Sequence, residues 1–135
     1  MIKDSYKTIL TPAEAELKIS KSKFISQVYP VTNSEEVNQT LTSARKKYYD
    51  AAHHPFAYRL GLDENNFRYS DDGEPSGSAG KPIMEVIDKF ELTNILLVVT
   101  RYFGGVKLGV GGLRRAIFEA AELVIQNAEI ITKQI

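Results

Sequence analysis

An unbroken apolar run, Ile95-Leu96-Leu97-Val98-Val99-Thr100, leads into the stretch RYFGGVKLGVGGLRR at residues 101–115. Six such residues together read as a strand buried on both faces, so other elements must cover both sides of its sheet. Beyond the stretch, Leu113, Ala116, Ile117, Ala120, Ala121, Val124 and Ile125 recur at helical spacing, which predicts an amphipathic helix. Between strand and helix stand Gly104, Gly105, Gly109, Gly111 and Gly112. Glycine at this density lets backbone N–H groups approach a ligand with no Cβ in the way. The same stretch carries Arg101, Lys107, Arg114 and Arg115 and no acidic residue. The spacing puts Arg114 and Arg115 in the first helical turn, where the helix dipole disfavours cations and a bound anion would relieve the conflict. Gly111 and Gly112 are expected to supply positive φ or close backbone approach. The competing reading is a tight glycine turn with arginines projecting into water.

The remaining elements follow from periodicity. Residues 1–12 read as a loosely held polar lead-in. Ala15, Leu17 and Ile19 alternate with charged residues, and with Phe24 to Val31 they form a hairpin turning at Ser20–Lys23. Asn33 with Glu36 fits a capping box, followed by a helix face of Val37, Leu41, Ala44 and Tyr48. Arg45-Lys46-Lys47 suits the C-terminus of that helix. Phe56, Tyr58 and Leu60, a turn at Asp63–Asn66, and Phe67 with Tyr69 make a second hairpin. A loop SDDGEPSGSAG spans 70–80, with charge opposite to that of the glycine stretch. Pro82 opens a short helix with Ile83, Val86, Ile87 and Phe90 on one face. The order β-β-α-β-β-α-β-α implies an α+β fold, a two-layer sandwich of a mostly antiparallel mixed sheet whose outer face is open or partly covered. Residues 1–128 form the domain, and 129–135 are either a tail or the start of a further strand or of a missing C-terminal domain.

Seventeen Lys and Arg balance seventeen Asp and Glu, so any electrostatic partner is chosen by a local patch. The absence of cysteine excludes a disulfide framework and a thiolate zinc site. No apolar run approaches the length of a membrane span and the N-terminus lacks a signal-peptide core, so the expectation is a cytoplasmic protein without membrane contact.

Catalytic motifs fail one by one. From Gly104 to Gly109 the spacing is that of a phosphate-binding loop, but Val110-Gly111 stand where Lys-Ser/Thr belongs. The dinucleotide fingerprint begins at Gly109-x-Gly111 and breaks at Arg114. Asp71, Asp72 and Glu74 lack the spaced oxygen ligands of a calcium loop and read as a solvated turn or as partners for the basic stretch. His53 and His54, adjacent on an extended segment, point to opposite faces and do not readily share one ion. One of them is expected to cap the preceding helix or bond a carbonyl. Ser76 and Ser78 have no nucleophile elbow around them. No catalytic residue, cofactor or metal ligand is assigned. A general base among Asp71, Asp72 and Glu74 remains the weakest alternative.

KSKFI at 21–25, His53 with Ala57-Tyr58-Arg59, SDDGEPSGSAGKP at 70–82 and VVTRYFGGVKLGVGGLRRA at 98–116 together resemble the N-terminal signature domain of the IMPACT/YigZ family. The resemblance runs from about Ser5 to Asn127. Pro55 stands where relatives usually carry cysteine, and Ile117 where an aromatic is common. The resemblance implies a fold like the second domain of a small-subunit ribosomal protein and domain IV of elongation factor G. It implies contact with RNA, the ribosome or a protein of the translation machinery. Eukaryotic relatives restrain the amino-acid-starvation kinase, a stress response, through a longer chain with another domain at the N-terminus, and bacterial relatives continue into a small ferredoxin-like domain. The expected function is a non-enzymatic binding module in translation regulation, with a protein-interaction domain as the alternative. The binding residues would be Arg101, Lys107, Gly109, Gly111, Gly112, Arg114 and Arg115, beside a signature loop of Asp71, Asp72, Gly73, Glu74, Ser76 and Gly77.

Overall fold

A computed structural model describes residues 4–135. The elements run β1 (Ser5–Ile9), β2 (Ala13–Ile19), β3 (Ser22–Pro30), α1 (Ser34–Lys47), β4 (Phe56–Arg59), β5 (Phe67–Ser70), α2 (Gly80–Lys89), β6 (Ile95–Tyr102), α3 (Gly109–Asn127) and β7 (Ile130–Gln134). Five strands form one antiparallel sheet in the order β2-β3-β6-β4-β5, and β1 pairs with β7 in a second, two-stranded sheet.

Strand β6 lies at the centre of the larger sheet, and its residues from Ile95 to Val99 are fully buried. Alternation divides them. Ile95, Leu97 and Val99 join Phe24, Val28 and Ala57 in a core with α2 and α3. Leu96 and Val98 face the other way, into a smaller cluster with Phe56, Leu60 and the buried stripe Val37, Leu41 and Ala44 of α1. The sheet is therefore covered by two helices on one face and partly by one helix on the other, which explains why its central strand is apolar without alternation.

Local signals hold in most places. The first hairpin turns at Ser20 and Lys21, both at positive φ (47° and 69°), two residues tighter than the four expected. Asn33 caps α1 by accepting from the Glu36 N–H at 2.8 Å. The Glu36 carboxylate reaches one residue past the cap, accepting from the Thr32 N–H at 2.6 Å and the Thr32 hydroxyl at 2.8 Å. Those two donors hold its pKa below the ordinary value.

The N-terminal end differs from expectation, and at the C-terminal end the strand alternative holds. Of the lead-in at 1–12, residues 1–3 lie outside the described residues, while Ser5–Ile9 form β1 with Ile9 buried in the core. Residues 130–134, for which the sequence allows either tail or strand, are β7, in register from Ser5↔Gln134 to Ile9↔Ile130. Neither segment has enough apolar alternation to announce a strand. Each is fixed by a partner more than a hundred residues away.

Candidate functional site: two loops at one end of the sheet

The signature loop after β5 is organised from within by carboxylates. Asp71 accepts from the N–H groups of Gly77 (2.9 Å), Ala79 (3.1 Å) and Gly80 (2.8 Å), which ties the loop to the start of α2. Burial pushes its pKa up, but the three backbone donors outweigh this and leave it lowered. Asp72 accepts from the His54 N–H at 2.8 Å and lies 3.6 Å from Arg45. Glu74 is buried and accepts from Arg101 Nη1 with both oxygens, at 3.0 and 3.1 Å, while His53 Nε2 stands 3.4 Å away. Gly73 and Gly77 take positive φ (90° and 77°), and a Cβ on Gly73 would fall 2.7 Å from the His53 ring. Ser76 is exposed, and Ser78 is buried and bonded to the Pro75 carbonyl. The two histidines go to different partners, neither of them the end of α1. His54 is buried against the Thr100 hydroxyl at 3.0 Å, and burial lowers its pKa.

The glycine loop occupies residues 103–108, between β6 and α3. Conformational demands fall on Gly105 within it and on Gly109 at the first position of α3, at φ +88° and +73°, and on Gly104, where a Cβ would stand 2.0 Å from the Lys21 carbonyl oxygen of the first hairpin. Gly111 and Gly112 do not have positive φ. They lie in the first turn of α3, and a Cβ on Gly112 would meet Leu108 Cβ at 3.4 Å and Arg115 Nη2 at 4.0 Å. The helix begins several residues before the expected point because these two glycines accept helical geometry.

This start moves Arg114 and Arg115 out of the first turn into the second. Side chains on a helix lean toward its N-terminus. Arg115 accordingly folds back, its Nη1 3.5 Å from where a Cβ on Gly111 would be, and Arg114 Nη2 comes within 3.7 Å of the same point on Gly77. The first-turn N–H groups of α3 receive no side-chain cap. Lys107, Arg114 and Arg115 are exposed and make no ion pair within 4.0 Å among the described residues, Arg115 with Glu119 one turn on included.

Arg101 is the correction to the anion-binding set. It belongs to β6, is buried, and spends its guanidinium on Glu74, so it presents no charge to solvent. What it does is tie the signature loop to the end of β6 through Glu74, while Arg114 of α3 approaches Gly77 of the same loop. Three exposed apolar side chains, Phe103, Val106 and Val110, accompany the cations.

Among the described residues no cluster of His, Asp and Glu is arranged to hold a metal ion, and no helix is long and apolar enough to cross a membrane. A cleft of about 570 Å³ opens elsewhere, beside β1 and the end of α2, lined by Tyr6, Lys7, Arg59, Asp88 and Thr93 among others. It includes none of the signature-loop carboxylates.

Comparison with known proteins gives a consistent match. The Impact N-terminal domain family matches residues 20–125. The chain is 37% identical over 131 residues to the IMPACT family member YvyE of Bacillus subtilis (strain 168), covering 97% of this chain and 60% of that protein. It is 37% identical over 107 residues to YigZ of Escherichia coli (strain K12), covering 78% of this chain and 52% of that protein. A crystal structure described as that of a hypothetical protein superposes with a TM-score of 0.94 at 31% identity, over 98% of this chain and 66% of the other. The chain thus spans between half and two thirds of the length of these relatives. It belongs to the IMPACT family, matched in the family's N-terminal domain.

Proposed function

We propose that this domain is a non-enzymatic binding module of translation regulation, and that the tip formed by the glycine loop and the start of α3 contacts RNA through its phosphates. The observation that carries this reading is the set of three exposed cations, Lys107, Arg114 and Arg115, none of them in an ion pair among the described residues. Two other cations at this end, Arg45 and Arg101, are occupied by Asp72 and Glu74. Uncapped N–H groups at the start of α3 add donors of the same polarity. The translation setting is supported by family membership.

Filter binding of the purified domain to mixed RNA across a salt series tests this. With about three phosphates neutralised on a single strand, log affinity falls against log salt with a slope of roughly −2. Lys107→Ala with Arg115→Ala weakens binding to all sequences alike and flattens the slope by about one unit or more. Equal binding by wild type and double variant, or no binding at low salt, would overturn the reading. Docking of a protein of the translation machinery is the second reading, favoured by the exposed Phe103, Val106 and Val110. Capture of a protein from lysate that survives nuclease and is lost in Val106→Asp would support it.

A further inference from the structure

Phe103 is half exposed, at 50%, in the first position of the glycine loop. A single exposed phenylalanine is ordinary. This one is held from beneath. The Arg101 guanidinium lies 5.3 Å from its ring centroid, and Arg101 is itself fixed by Glu74 at 3.0 and 3.1 Å and buried in β6. The ring therefore rests on a cation that cannot swing away, while half of the residue's surface stays open to water. A relay of contacts leads from it toward the unpaired cations. Phe103 touches Arg101, Arg101 holds Glu74, and three residues past Glu74, Gly77 faces Arg114. Lys107 lies four residues further along the same loop, within about 14 Å even for an extended chain.

From this juxtaposition we propose that Phe103 is a stacking platform for one base, which makes the ligand of this tip single-stranded RNA. The proposal rests on the phosphate-contact reading above and specifies its substrate. A base within a duplex has both faces covered by its neighbours and offers none to a protein ring. A base in a single strand can leave its neighbours and lie on the aromatic face while the flanking phosphates reach Lys107 and Arg114. Stacking of this kind is tolerant of sequence, since every base has a π-face, and it adds affinity without adding to the salt dependence. A ring backed by a fixed guanidinium also loses less freedom on binding than an unsupported one, so more of the stacking gain appears as affinity.

The chain contains no tryptophan, so Phe103→Trp places a sole fluorescent reporter at the site. The test uses the whole chain with fluorescein-labelled oligouridylate and with an RNA duplex of equal length. Labelled RNA anisotropy gives affinity, and tryptophan emission, read with unlabelled RNA, gives stacking. The expected results are tighter binding of the single strand than of the duplex and quenched emission from Phe103→Trp on oligouridylate. Phe103→Leu should weaken binding about tenfold or more, with the salt slope unchanged and circular dichroism like that of wild type. Lys107→Ala, by contrast, lowers the slope. If wild type binds and either Phe103→Leu binds equally well or the emission is unmoved on saturation, stacking is overturned and the phosphate reading stands. Binding the duplex as tightly as the single strand would also overturn it. If wild type binds neither RNA at low salt, both readings fall together.

Discussion

Glu74 carries the electrostatics of the site's interior. Its carboxylate is almost wholly enclosed and faces one fixed guanidinium. Removing one partner of a buried pair leaves the other charged without compensation, at a cost of about 3–5 kcal/mol. Glu74→Ala should therefore lower the urea midpoint sharply. A double replacement, Glu74→Leu with Arg101→Met, should cost less than either single change, and equal additive losses would show that the pair is not coupled. Glycines sort in the same way. Gly104→Ala drives a methyl group into the Lys21 carbonyl and should unfold the loop or the hairpin. Gly112→Ala meets ordinary contact on a helix and should raise thermal stability by up to about 1 kcal/mol. In the sequence these residues look alike. Arg101 shows its charge but not its partner, 27 positions away, and Gly112 shows its type but not its φ. One sign is available for Arg101: it continues without a break from a strand that reads as buried on both faces.

At the scale of elements, α2 begins with a cap borrowed from the preceding loop. Ala79 supplies no side-chain acceptor, and Asp71 replaces it by accepting from the N–H groups of Ala79 and Gly80. Asp71→Ala should cost about 0.5–2 kcal/mol, the range for loss of a cap. The pH dependence has a definite sign. The folded pKa of Asp71 is depressed, so its stabilisation is fully present above the unfolded value, about 3.9, and is lost as pH falls through the folded value. The stability gap between wild type and Asp71→Ala should be constant near neutrality and close only in acid below about pH 4. A gap unchanged down to acid unfolding would show that the carboxylate charge is not what caps the helix. Helices α1 and α2 and both hairpins are legible in the sequence because their apolar period and turn residues are local. The start of α3 is not, since glycine gives no propensity signal for the turn it adopts. Nor are β1 and β7, whose pairing depends on chain closure across the whole domain.

That closure is a property of the whole molecule. With β7 removed at residues 130–135, β1 loses its partner along five paired positions, from Ser5 to Ile9. Amide hydrogen exchange of residues 5–9 should then accelerate by orders of magnitude while β3 and β6 remain protected, because the central sheet does not use β7. Uniform acceleration would mean the small sheet is part of the same cooperative unit. The balance of 17 positive and 17 negative residues bears on binding at this scale. A neutral body contributes little long-range attraction, so the measured salt slope reports the tip alone. The contact between Gly104 and the Lys21 carbonyl has a mechanical consequence. The first hairpin is a ruler laid along β6, and its far end decides where the glycine loop may sit. Adding one residue to each arm would advance that end by about 3.4 Å and displace the loop, with Phe103 and Lys107 on it. A length written into residues 13–30 thus sets the spacing of chemistry that the chain does not spell out until residue 103.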